Sequence, residues 1–180
     1  MNKKDYFRSI SVLRESFLRN NQLRVQHSHR IWMASFVWAD PSSVELIKDI
    51  EKQLGMKIPE DLSVFLTTVS NGAILYRNIE DAMTGYSLYS IDEYLEKQER
   101  WRRSLGELWL PQFLAIGEIT SENRPILFDS STPTKDGTSC KLMEGNPYDP
   151  VKYWLKLSDS FHEWIDHLVS AQGAQYWLWH

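Results

Sequence analysis

Apolar positions spaced as on helices dominate the first third of this 180-residue chain and return at its end. In residues 5–19, Tyr6, Ile10, Leu13 and Phe17 fall on one face with Phe7 and Leu18 beside them, which predicts an amphipathic helix. A second helix begins near Asp40-Pro41-Ser42-Ser43-Val44-Glu45. Asp40 with Pro41 gives one cap register, and Ser42 with Glu45 gives a capping box in another. Val44, Ile47, Ile50 and Leu54 mark its buried side, and Gly55 supplies the left-handed residue that ends it. Pro59 suits the first position of a third helix over 60–70, with Leu62, Phe65, Leu66 and Val69 inward. Asn71-Gly72 then provides positive φ for a tight turn.

The pattern changes beyond that turn. Ala73–Tyr76 and Tyr86–Tyr89 read as strands around a polar loop that carries Glu80, Asp81 and Gly85. Ser90 with Glu93 is a capping box opening a charged helix to about Ser104, with Tyr94, Leu95, Trp101 and Leu105 inward. Phe113–Gly117 and Ile126–Asp129 read as a hairpin across the polar turn 118–125, and Ser139–Met143 as a further strand. Pro147 and Pro150 mark a loop. A final helix starts at Ser158, buries Phe161, Trp164, Ile165, Leu168 and Val169, and stops at Gly173. The stretch Ile31–Trp38 reads equally as a strand or a buried connector. No repeat or low-complexity tract interrupts the chain. The elements predict one α+β domain, a central mostly antiparallel sheet flanked by helices, over residues 38–180. Residues 1–37 form a basic, amphipathic helical extension.

Composition narrows the class. Apolar residues at 42% and charged residues at 24% are those of an ordinary globular domain, and eight tryptophans suit both a core and a recognition patch. No run of about 18 apolar residues offers a membrane span. The single cysteine, Cys140, the lack of an Asn-x-Ser/Thr acceptor and the lack of a signal-like leader point to a cytoplasmic home. The net charge of −4 is unevenly spread, with +5 in residues 1–33 and −9 in the rest. An acidic body argues against nucleic acid as the partner. It suits a basic protein partner, or simply keeps the domain soluble. The basic first helix raises a membrane-surface reading, but docking on the domain is far commoner.

Candidate chemistry is sparse. His162 and His167 stand five apart, about 140° around a helix, where a zinc-protease pair needs a four-residue spacing. His27 and His29 point one way on a strand but have no third ligand nearby. Cys140 sits in an alternating strand and reads as packing. No phosphate loop, dinucleotide fingerprint, nucleophile elbow or calcium loop occurs, so the sequence predicts no catalytic residues, cofactor or metal. The remaining candidates are surfaces. Glu80 and Asp81 in one loop, with Glu118 and Glu122 in another, would form an acidic rim near Trp101 or Trp109 if the loops share a sheet edge.

The segment Ile50-Glu51-x-x-Leu54-Gly55-x-x-Ile58-Pro59-Glu60-x-Leu62-x-x-Phe65-Leu66, followed by Asn71-Gly72, resembles the core motif of the SUKH superfamily. This group contains the yeast cell-wall-assembly regulator domain and many bacterial relatives. Phe113-Leu114-Ala115-Ile116-Gly117 with Ile126-Leu127-Phe128-Asp129 is similar to its central hairpin, and Ser160-Phe161-x-Glu163-Trp164-Ile165-x-x-Leu168 to its closing helix. The likeness runs over about residues 38–170. Two departures are Ser121-Glu122-Asn123-Arg124, where the family usually has a Gly-Asp turn, and the basic N-terminal extension. The resemblance implies an α+β domain without catalytic residues. Most bacterial members are regarded as immunity proteins that bind and neutralise a toxin, and eukaryotic members as interaction hubs. The expectation is a non-enzymatic immunity protein against a polymorphic toxin; the alternative is a regulatory adaptor for an endogenous partner.

Overall fold

The computed structural model describes residues 7–17, 22–27, 30–81 and 83–178. Tyr6, Leu18, His29, Trp179 and His180, and the side chains of Phe17 and His27, lie outside the described residues. Among the described residues, five α-helices and eight strands follow in the order α1 (Arg8–Phe17), β1 (Gln22–His27), β2 (Arg30–Trp38), α2 (Val44–Leu54), α3 (Glu60–Thr68), β3 (Ala73–Asn78), β4 (Tyr86–Leu88), α4 (Tyr94–Leu105), β5 (Phe113–Ile119), β6 (Arg124–Pro133), β7 (Cys140–Glu144), β8 (Leu155–Ser158) and α5 (Phe161–Ser170). The strands form one antiparallel sheet in sequence order, each pairing with the next. This is an α+β fold.

Local chemistry accounts for the helix ends, with small displacements from the sequence reading. Gly55 ends α2 at φ 69°, as its position demands. The α2 cap is neither Asp40 nor Ser42. Ser43 is extended there, and its hydroxyl accepts the Leu46 N–H at 3.2 Å. Pro59 keeps an extended ψ of 142°, so it precedes α3 instead of opening it. The positive φ at the next turn falls on Gly72 alone, at 92°. A Cβ there would sit 2.7 Å from the Ser90 nitrogen. Asn71 contributes instead through its side chain, whose oxygen accepts the Ile91 N–H at 2.8 Å. The Ser90–Glu93 box forms, with the Ser90 N–H 2.9 Å from the Glu93 carboxylate. Ser158 is the last residue of β8, and Ser160 caps α5. Val44 and Leu95, expected inward, are exposed.

The two sheet faces are covered by different helices. Phe7, Phe65 and Phe161 meet pairwise at centroid distances of 5.4, 5.8 and 5.2 Å, joining α1, α3 and α5 over one face. Phe128 and Tyr86 reach the same layer, 6.3 Å from Phe161 and 5.9 Å from Trp164 respectively. Phe7 and Ile10 are buried, so the apolar side of α1 is used up on the domain. The other described residues of the N-terminal extension are in strands, where β1 and β2 continue the sheet, so the extension is not wholly helical. Glu118 points to the opposite face from its neighbour Ile119. There it meets Arg100 of α4 and the Tyr89 hydroxyl at 3.2 and 3.0 Å. Where β4 ends, Gln98 of α4 takes over its pairing role. The Gln98 amide donates to the Ala115 carbonyl at 2.7 Å and accepts the Ala115 N–H at 2.9 Å.

Part of the second face stays open. Ile31, Met33 and Val37 alternate along β2 on that side and are all exposed, with Ile79 and Met83 exposed nearby. Among the described residues no helix is long and apolar enough to cross a membrane.

Candidate functional site

Because β4 and β5 run antiparallel with Tyr86 opposite Ile119, the β3–β4 turn and the β5–β6 turn lie at the same end of the sheet. They are tied together: the Gly85 carbonyl accepts both the N–H and the hydroxyl of Thr120 at 3.0 Å. The segment after α5 crosses this end. Its Gly173 carbonyl accepts the Tyr86 hydroxyl at 2.9 Å, and the Gln175 amide donates to Glu122 at 2.8 Å. Between the two turns and this segment lies a cleft of about 290 Å³, walled by Trp32, Tyr76 and Tyr86 and rimmed by Glu122, Gln172 and Gln175.

The backbone is unusual here. Tyr76, Asn123 and Gln172 have φ of 52°, 50° and 52°, the positive-φ non-glycine residues among those described. Two of them line the cleft and the third follows Glu122. Tyr76 sits in a bulge, where Ile74 to Arg77 oppose only Val37 to Ser35. The extra residue turns both Leu75 and Tyr76 inward. Gly173, at φ 82°, lies against the Tyr76 ring so closely that a Cβ would come 2.4 Å from its Cγ.

Charge at this end is unbalanced. Arg124 forms an ion pair with the buried Glu144 and a second with Glu122 at 3.1 Å. The Trp177 indole N–H also donates to Glu144, at 3.3 Å. Burial raises the Glu144 pKa, and the Arg124 guanidinium opposes that shift. The Tyr86 hydroxyl is driven far up, first by burial and then by the charges of Glu122 and Glu144.

The acidic loops predicted from sequence do share a sheet end, but not all six residues gather there. Glu80 and Asp81 are exposed in the β3–β4 turn, and Glu122 is across from them. Asp81 braces its own turn: its carboxylate accepts the Met83 and Thr84 N–H groups at 2.9 and 3.1 Å, which holds its pKa low. Glu118 is a strand residue on the α4 face, not a loop residue. Trp101 is 1% exposed and donates to the Tyr89 hydroxyl at 2.8 Å, so it belongs to the core. Trp109 packs half-buried on Phe113, at the other end of β5.

Sequence reasoning missed Trp32, Tyr76, Tyr86 and Gln172 as a group. The one available signal was the Gln172-Gly173 pair after α5, read only as a helix stop. The remaining chemistry is structural. Asp61, fully buried on α3, accepts the Phe161 and His162 N–H groups at 2.9 and 3.2 Å and so anchors the start of α5. His162 Nδ1 lies 3.6 Å from the same carboxylate, which raises the histidine pKa. Burial, and then the charges of Asp61 and Asp129, push the Cys140 thiol up, away from nucleophilic character. Among the described residues no group of three or more His, Cys, Asp or Glu could hold a metal.

Fold and surface together define a small α+β domain whose distinctive features are an open apolar sheet face and a strained, acidic cleft. Residues 41–167 match the SMI1 / KNR4 family (SUKH-1), and the chain belongs to that family. It is also similar to the uncharacterized protein YnaB of Bacillus subtilis (strain 168), at 29% identity over 144 residues, covering 80% of this chain and 88% of that one.

Proposed function

We propose that this chain is a non-catalytic, protein-binding member of its family, an immunity protein that neutralises a cognate bacterial toxin in the cytoplasm by direct binding. The observation that carries the reading is the open face of β2. Ile31, Met33 and Val37 stand exposed in alternation, with Ile79 and Met83 alongside and the acidic Glu80 and Asp81 at the margin. An apolar centre with a charged rim is the make-up of a protein interface, and apolar groups so grouped are otherwise uncommon on a surface. The −9 charge outside the first 33 residues suits a basic effector, such as a nuclease domain.

The test is co-expression with a toxin domain encoded beside this chain's gene. Rescue of growth and a co-purifying one-to-one complex support the reading. A complex with an unrelated housekeeping protein and no rescue would move the chain to the adaptor role.

A further inference from the structure

We propose that the cleft between the β3–β4 turn, the β5–β6 turn and the segment after α5 receives a cationic side chain, arginine or lysine, of the protein partner. The proposal deepens the protein-binding reading above and rests on it. Size comes first. About 290 Å³ lies at the bottom of the roughly 300–1,000 Å³ range of small-molecule sites, which suits one long side chain better than a cofactor.

The walls come second. Trp32, half-buried, offers a ring against which a guanidinium or ammonium group is stabilised, while Tyr76 and Tyr86 are buried beneath the cleft and give it a fixed floor. Glu122 stands at the lip and Glu144 behind it, with the single guanidinium of Arg124 shared between them. Two carboxylates thus share one guanidinium, beside a Trp32 ring whose π face also attracts positive charge. An anionic ligand would meet Glu122 directly and is disfavoured.

Rigidity comes third. Tyr76 and Gln172 in the lining and Asn123 beside Glu122 hold left-handed backbone, a conformation that is strained for a bulky residue such as tyrosine and persists where surrounding structure enforces it. Such strain clusters at binding sites. Here the Gly85–Thr120, Tyr86–Gly173 and Gln175–Glu122 bonds hold the three walls in place before any ligand arrives.

The experiment titrates Nα-acetyl-arginine methylamide into the isotope-labelled full chain, followed by amide and indole resonances, with the matching citrulline derivative as neutral isostere. The arginine compound is expected to give saturable shifts at the Trp32 indole N–H and the Gly85 and Gly173 amides, and the citrulline compound none at the same concentrations. Glu122→Gln, a change of charge on an exposed side chain, is expected to weaken arginine binding at least about fivefold, about 1 kcal/mol. Equal response to citrulline, saturable shifts mapping elsewhere, or unchanged affinity in E122Q would overturn the proposal. Failure of the arginine titration in a chain that still captures the toxin would sink only the cleft's occupant. Arginine binding without toxin capture would sink the immunity reading and leave the cleft as a cation site.

Discussion

Asp61 shows how one buried carboxylate sets the geometry of two helices. It sits in the first turn of α3, yet two of its bonds go to the first turn of α5, a hundred residues away. The anion faces the positive end of the α5 dipole and satisfies N–H groups that a helix start otherwise leaves open. His162 adds a pH-dependent part. Its pKa is raised in the folded state by Asp61, so the stabilisation is complete below the ordinary histidine value of about 6.5 and is lost as pH rises through the folded-state value. Denaturant midpoints measured from pH 6 to 8 should therefore fall for the natural chain. For His162→Gln that part of the slope should vanish, and identical slopes would refute the coupling. Sequence alone placed His162 on an amphipathic helix but gave no hint of Asp61, because residues so distant in sequence meet only through the packing of α3 on α5.

At the scale of elements, the α4–β5 joint is the most informative. Strand β4 is three residues long and leaves the edge of β5 open at Ala115. Gln98 closes it with a two-bond amide mimic of a strand. Gln98→Ala should cost about 2 kcal/mol for two lost hydrogen bonds, and hydrogen exchange at the Ala115 amide should accelerate; unchanged protection there would show that the bonds do not matter.

The elements also show what periodicity conveys. The α2–α3 punctuation, the Ser90–Glu93 box and the β5–β6 hairpin were readable, because Gly55, Glu93 and the alternating apolar residues each act within a few positions. Strands β1 and β8 were not read at all. β1 has only Leu23 and Val25 as apolar positions, and β8 is four residues long with its inward residues at one end. The caps missed by one or two positions, Ser43 and Ser160, stand in runs holding several suitable hydroxyls. The cleft was illegible for a different reason. Its lining comes from β2, β3, β4, the β5–β6 turn and the segment after α5, and its shape depends on a left-handed tyrosine that nothing in the residue type favours. Trp101 illustrates the converse: an abundance of tryptophan raises the expectation of a surface anchor, while the Tyr89 hydroxyl and burial place this one inside.

For the molecule as a whole, the N-terminal extension changes the architecture. By adding β1 and β2 to the sheet and laying α1 across its inner side, it covers one face and leaves the outer face of β2 open. It also supplies Trp32 to the cleft. The β3–β4 turn, with Glu80, Asp81 and Met83 exposed on it and Gly85 lining the cleft, joins these two surfaces. Replacing Met33 and Val37 together by Asp should leave the chain folded with a lowered thermal midpoint, because Asp is disfavoured in strands, and weaken partner binding at least about tenfold, about 1.4 kcal/mol. Unchanged affinity in the folded double variant would place the interface elsewhere. The most direct test of toxin neutralisation is calorimetric titration of the purified chain with the toxin domain encoded beside its gene, run together with an assay of that toxin's activity. Neutralisation by direct binding requires a saturable one-to-one complex in which the toxin is inhibited in proportion to occupancy. A toxin that stays fully active with the chain in excess, with no heat of binding, would contradict it.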